Sequence, residues 1–146
     1  MPKNVRSVVV DADADTVWAL IRDFNGLHTW FPTLPAGVVE DGLPSDRVGC
    51  VRRFGEGADA PRERLTALDD VGRSYTYTLL SGPFRVRDYL ATLRVTPIHD
   101  GGAPRSLVEW SNTYDCDPSE EDGLATTFGD QIFAPALAAL RERFAG

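Results

Sequence analysis

Sulfur and imidazole are scarce in this chain. Its 146 residues include two cysteines, one methionine and two histidines. Cys50 and Cys116 stand far apart without C-x-x-C spacing, and neither His28 nor His99 lies near them in sequence. No metal site is expected from such a set, and two reduced thiols are a better expectation than a disulfide. Basic clusters are also missing: 15 Lys and Arg are outnumbered by 22 Asp and Glu, for a formal charge of -7. The electrostatic footprint of a nucleic-acid binder is absent, and an anionic membrane surface would repel the chain. No apolar run approaches the roughly 20 residues of a membrane span. The first residues, MPKNVRSVVVDADAD, turn acidic at once and lack a small-residue cleavage site. They are not expected to act as a signal peptide, and a cytoplasmic location is expected. There is no Gly-rich phosphate loop and no nucleophile–base motif, so no cofactor is expected.

What is present is a long β-rich run with helices at its flanks. Val5–Val10 reads as a strand. Asp13 is a candidate N-cap for a helix whose apolar stripe is Val17, Leu20, Ile21 and Phe24. A second short helix over 27–31 stops at Pro32. Strands are expected near 38–40 and over 47–54. The segment Gly55–Pro61 is a hairpin loop or a flap. Three strands follow within 61–97 and a last one spans 107–114. Ser119 is a candidate cap for a terminal helix over 120–144, bent at Pro135. The order strand, two helices, six strands, one long helix implies one α+β domain over residues 1–146. A seven-stranded antiparallel sheet wrapped around the terminal helix leaves room for a cavity between them.

The most informative stretch is PRERLTALDDVGRSYTYTLLSGPFRVRDYLATLRV, Pro61–Val95. At period two, one face carries Leu65 and Ala67, then Tyr75, Tyr77 and Leu79, then Tyr89, Ala91, Leu93 and Val95. Glu63 falls on the same face. A carboxylate and three hydroxyls on a buried apolar surface suit a cavity that holds water or a small molecule, because unpaired polar groups in a dry core cost a few kcal/mol each.

The segments VWALIRDFNGLHTWFP, ERLTALDD, YTYTLLSGPFRVRDY and the terminal helix resemble the Bet v 1-like/START superfamily, also called SRPBCC or polyketide cyclase/dehydrase proteins. The resemblance covers nearly the whole chain. Within it, Glu-Arg-Leu followed by Leu-Asp-Asp, and Gly-x-x-Arg-aliphatic with a tyrosine three residues on, are similar to the plant abscisic-acid receptors. The resemblance implies a helix-grip fold and a cavity for hydrophobic or amphipathic molecules. It implies that Glu63, Tyr77, Leu79, Tyr89, Glu109, Phe128, Ile132 and Ala136 line that cavity. The receptors' Ser-Gly-Leu-Pro-Ala gate is missing, and Pro35 stands where they place the lysine that pairs with the hormone carboxylate.

Glu63, Tyr89 and Glu109 are the candidates for acid–base work. If both glutamates entered one cavity, desolvation and repulsion would raise at least one pKa. The alternative is that they pair with Arg52, Arg53, Arg64 or Arg94, or face water. The last strand leaves two assignments open: burial turns Trp110 inward, whereas the resemblance turns Glu109 inward. His28 is expected to be a surface or capping residue, and His99 to be exposed in a turn. Two functions follow. One is a carrier or sensor, monomeric or homodimeric, of a hydrophobic small molecule. The other is an aromatase/cyclase or dehydratase-type enzyme. A third class, a co-chaperone-like module, would show an exposed apolar patch and little internal volume.

Overall fold

In the computed structural model, which describes residues 3–145, seven strands form one antiparallel sheet in the order β1-β7-β6-β5-β4-β3-β2. They are β1 (Lys3–Val10), β2 (Val38–Val39), β3 (Val51–Arg53), β4 (Arg62–Asp69), β5 (Ser74–Ser81), β6 (Arg87–Ile98) and β7 (Arg105–Asp115). Helices α1 (Ala14–Ile21) and α2 (Leu27–Trp30) lie between β1 and β2, joined by a 3-10 turn at Phe24–Gly26. A helical rod over 118–144 follows β7 and packs across the sheet. This is the α+β helix-grip architecture expected from the sequence.

Alternation makes the sheet two-faced. Ser106, Val108, Trp110, Asn112 and Tyr114 on β7 are buried, and the residues between them are half-buried. Tyr89, Ala91, Leu93 and Val95 on β6 point to the same core. Helix α1 starts where expected: Asp13 Oδ2 accepts a hydrogen bond from the Thr16 amide at 3.2 Å. Val17, Trp18 and Ile21 form its buried stripe.

Asp70, in the β4–β5 turn, fastens α1 to the sheet. It accepts hydrogen bonds from Arg22 Nε at 2.9 Å and from Trp18 Nε1 at 2.8 Å. The Arg22 bond, then the Trp18 bond, hold its carboxyl below the usual carboxylate range. A carboxyl whose pKa is lower folded than unfolded stabilises the fold above its unfolded value and stops doing so as pH falls through the folded one. The melting temperature of Asp70→Asn should therefore fall less steeply on acidification than that of the unaltered protein. Parallel acid limbs in thermal scans from pH 6 to pH 2.5 would contradict this.

Several expected elements differ. A bulge in β4 sets Leu65 opposite Tyr77 but Ala67 opposite Thr76 and Leu68 opposite Tyr75. The extra residue flips the alternation, so Ala67 is exposed and Leu68 packs against the core in its place. The strand expected over 47–54 shrinks to β3, because Arg47–Cys50 closes a turn through the Cys50 amide and the Arg47 carbonyl. The strand expected near 38–40 ends at Val39. Glu40–Gly42 forms a 3-10 turn in which Asp41 has φ 64°. Ser119 caps nothing: Asp117 precedes the 3-10 turn Pro118–Glu120.

The terminal rod changes hydrogen-bond register along its length. It runs α3 (Glu121–Ala125), then a π-helical segment over Thr126–Phe133, then α4 (Ala134–Phe144). The Ala134 amide donates to the Gly129 carbonyl, five residues back. An α-helical Pro135 would press its ring on the Gln131 carbonyl and leave it without a donor. The wider turn just ahead of Pro135 absorbs that conflict. Gly129 lets β1 come close here. A Cβ at Gly129 would lie 2.6 Å from Arg6 Nη2, which bonds Asp130 Oδ1 at 2.8 Å.

Candidate ligand cavity

A cavity of about 270 Å³ lies between the sheet and the π-helical segment. Its walls are mostly aromatic and aliphatic. The rod supplies Phe128, Ile132 and Phe133, the sheet supplies Tyr77, Leu79, Tyr89 and Trp110, and α2 with its following loop supplies Leu27, Phe31 and Leu34. Phe84, from the turn between β5 and β6, stacks obliquely on Phe128 with centroids 4.9 Å apart. The π register explains the rod's contribution. Phe128 and Phe133, five residues apart, share the cavity side, which α-helical spacing would not allow as well. Arg52, Glu63, Gln131 and Thr33 are the charged or amide and hydroxyl side chains in the lining, besides the two phenols.

Arg52 and Glu63 face each other across β3 and β4. Arg52 Nε donates to Glu63 Oε1 at 2.8 Å, and the two side chains are 1% and 14% exposed. Arg52 also donates to the Phe24 carbonyl. Its guanidinium lies 3.9 Å from the centroid of Phe24 and 4.8 Å from that of Tyr77. Burial opposes its charge, but Glu63 and the surrounding phenols more than offset this, so its pKa is raised. Glu63 thus has a structural partner as well as a place in the lining. Replacing it would also strand a buried guanidinium.

Behind the cavity runs a polar network. Trp110 Nε1 donates to the Tyr77 hydroxyl at 3.1 Å, and Asn112 Nδ2 to the Tyr89 hydroxyl at 3.2 Å. Asn4 Nδ2 donates to Asn112 Oδ1 at 2.9 Å and to the Tyr114 hydroxyl at 3.0 Å. Burial pushes the pKa of Tyr77 and Tyr89 up, so both stay protonated across the working range. They can donate hydrogen bonds there, whereas charge would be costly.

Of the residues singled out in the sequence, Glu63, Tyr77, Leu79, Tyr89, Phe128 and Ile132 come together around this cavity. Glu109 does not. It lies on the opposite face of the sheet with Lys3, Arg94 and Ser111, because strict alternation on β7 turns Trp110 inward. The two glutamates are separated by the sheet, and the mutual repulsion expected of a shared site does not arise. Ala136 is fully buried but belongs to α4, past the π segment, and does not reach the cavity wall. Tyr75 packs on Phe24, centroids 5.4 Å apart, and lies outside the lining. His99 is exposed. His28 is half-buried on α2, and its Nδ1 has no hydrogen-bond partner.

Arg52 and Phe84 are lining residues that pattern reading did not place there, while Trp110 sits where burial had turned it. A signal for Arg52 existed: it shares the parity of Cys50 and Phe54, so a charged residue sat on an otherwise apolar face. Among the described residues, no three His, Cys, Asp or Glu side chains are grouped to hold a metal ion. None of the described helices is long and apolar enough to cross a membrane.

A protein-family model described as "Polyketide cyclase / dehydrase and lipid transport" matches residues 1–145. A solution NMR structure of a protein from Thermobifida fusca is 34% identical, covers 99% of this chain and 93% of its own, and superposes with a TM-score of 0.90. XoxI from Bacillus cereus is 31% identical, with 99% and 96% coverage and a TM-score of 0.83. The abscisic acid receptor PYL1 of Arabidopsis thaliana is 31% identical over 94 residues, which is 62% of this chain and 41% of the receptor. The matched stretch therefore spans about two fifths of that relative's length.

Proposed function

Because the chain belongs to the polyketide cyclase/dehydrase and lipid transport family, we propose that it holds a small, largely apolar molecule between the sheet and the π segment. The ligand's polar group would meet Tyr77, Tyr89 and the Arg52–Glu63 pair. The observation that carries this reading is the 270 Å³ cavity itself, walled by aromatic and aliphatic side chains with a few polar groups converging on it. Such a pocket gains affinity from apolar burial, roughly 25 cal/mol per Å², and orientation from its few polar contacts. The name of a relative, the abscisic acid receptor, fits a ligand-holding role. Pro35 in place of the receptors' lysine argues for a different ligand from that hormone.

Native mass spectrometry of the purified protein should show a co-purifying small molecule, or uptake of 8-anilino-1-naphthalenesulfonate with a fluorescence rise. Ile132→Trp fills the cavity from the rod and should cut dye affinity at least tenfold while the protein still unfolds cooperatively. Equal dye affinity in Ile132→Trp would count against the cavity as the binding site.

A second reading, catalysis of the cyclase or dehydratase kind, draws on the family description and on two protonated phenols beside a carboxylate. Tyr77 and Tyr89 would stabilise an enol oxygen, and Glu63 or Tyr89 would move the proton. Glu109, on the other face, has no part in it.

A further inference from the structure

Edge strand β1 turns Asn4, Arg6, Val8 and Val10 to its more buried side. Arg6 is out of keeping with that parity, because a charged side chain turned toward a core needs partners. It has two. Nη1 donates to the Val5 carbonyl at 2.8 Å, and Nη2 donates to Asp130 Oδ1 at 2.8 Å. One planar fork thus ties the backbone of β1 to the middle of the π segment. Gly129 makes room for it. A Cβ there would lie 2.6 Å from Nη2, 2.8 Å from Cζ and 3.2 Å from Nη1, so the guanidinium fills the space of the missing side chain. The Arg6 and Asp130 side chains are 38% and 62% exposed, and an ion pair so well solvated adds little to stability. What it fixes is position. Phe128 before the contact, and Ile132 and Phe133 after it, wall the cavity. Trp110, whose ring stacks on Phe133 with centroids 4.4 Å apart, is the cross-strand neighbour of Arg6.

We infer that Arg6 is a positioning residue for the cavity. Its guanidinium, seated on Gly129 and Asp130 outside the cavity, holds the π segment at one distance from the sheet and so sets the size of ligand admitted. This rests on the ligand-holding reading above and adds what governs its selectivity. Pro135 accounts for the wide turn, but not for where the segment stands relative to the sheet. Among the described residues, no other hydrogen bond joins Thr126–Phe133 to a strand. Without the fork, side-chain packing alone would keep this stretch in place, and packing can rearrange around a bulkier guest. Arg6 touches no ligand in this arrangement. It acts through Phe128, Ile132 and Phe133, the neighbours of the residues it holds.

The test pairs naphthalene with pyrene, fluorescent hydrocarbons that differ in the number of fused rings and carry no polar group. In Arg6→Ala the ratio of pyrene to naphthalene affinity should rise roughly tenfold, as rings that the clamped cavity leaves in water become buried. Gly129→Ala should raise it likewise with Arg6 still present, because the added methyl displaces the guanidinium. The double variant should show no further rise, since both changes remove one contact. A merely structural role for Arg6 would lower the melting temperature and both affinities alike, leaving the ratio intact. Native-state hydrogen exchange gives a readout without any ligand. Amides over 126–134 should exchange roughly tenfold faster in Arg6→Ala, while those of β6 and β7 keep their rates. An unchanged ratio, additive effects of the two substitutions, or unchanged exchange over 126–134 would overturn the inference and leave the cavity reading standing. Failure of the unaltered protein to bind either probe would bring down both.

Discussion

Arg52→Ala should cost the fold about 3–5 kcal/mol, the range for removing one partner of a buried ion pair. Three losses combine. Glu63 is left as a half-buried carboxylate without its partner, the Phe24 carbonyl loses its donor, and the stacking on Phe24 and Tyr77 disappears. Phe24 begins the 3-10 turn that leads into α2 at the cavity, so the damage reaches the site as well as the core. Guanidinium denaturation should show a lower midpoint with cooperativity retained. The double substitution Arg52→Met with Glu63→Leu separates the charge from the space it fills. With both charges gone, much of the loss should be recovered, because hydrophobic replacements of buried pairs are often neutral or stabilising. A double variant as unstable as Arg52→Ala would mean that the hydrogen bond to Phe24, rather than the charge pairing, matters most.

Phe128→Ala is the second large effect, again about 3–5 kcal/mol. Its ring meets Phe84, Tyr89, Tyr114 and Phe133 at centroid distances of 4.9, 5.4, 5.3 and 6.5 Å. No single element of the fold replaces those contacts, because they come from the β5–β6 turn, β6, β7 and the rod itself. The same change enlarges the cavity. Thermal denaturation should therefore show a drop of roughly 10 °C, at about 2–4 °C per kcal/mol for a chain of this size. A bulky apolar ligand should raise the midpoint of the variant more than that of the unaltered protein. A variant that melts normally would place Phe128 outside the packed core.

Much of this was legible before any coordinates. Alternation in Pro61–Val95 turned Tyr77, Leu79 and Tyr89 toward one side, and the structure has them there. Asp13 signalled the start of α1 through the chemistry of an oxygen acceptor beside unpaired amides. The failures have local causes. Ala67 was misplaced because a bulge adds one residue without any mark in the sequence, and period-two reading cannot count it. Glu109 was drawn inward by resemblance, although the alternation of Val108, Trp110 and Asn112 favoured the arrangement found. Ala136 was placed on the cavity wall by resemblance, and it lies in α4 past the π segment. Arg52 was one of four arginines that could pair with the glutamates, and choosing among them takes strand register, which is a tertiary fact.

The π turn also has a meaning for how this molecule can change over generations. It amounts to one surplus residue in the rod. Losing any single position between 126 and 133 would return the rod to α-helical register, kinked at Pro135 where the wider turn now relieves the clash, and rotate one end against the other by about 100°. Leu137 and Leu140 hold the far end in the core, so the rotation would fall on Phe128 and its neighbours. One deleted codon could thus redraw the chamber while sparing the scaffold, a shorter route to new binding preferences than a series of side-chain exchanges.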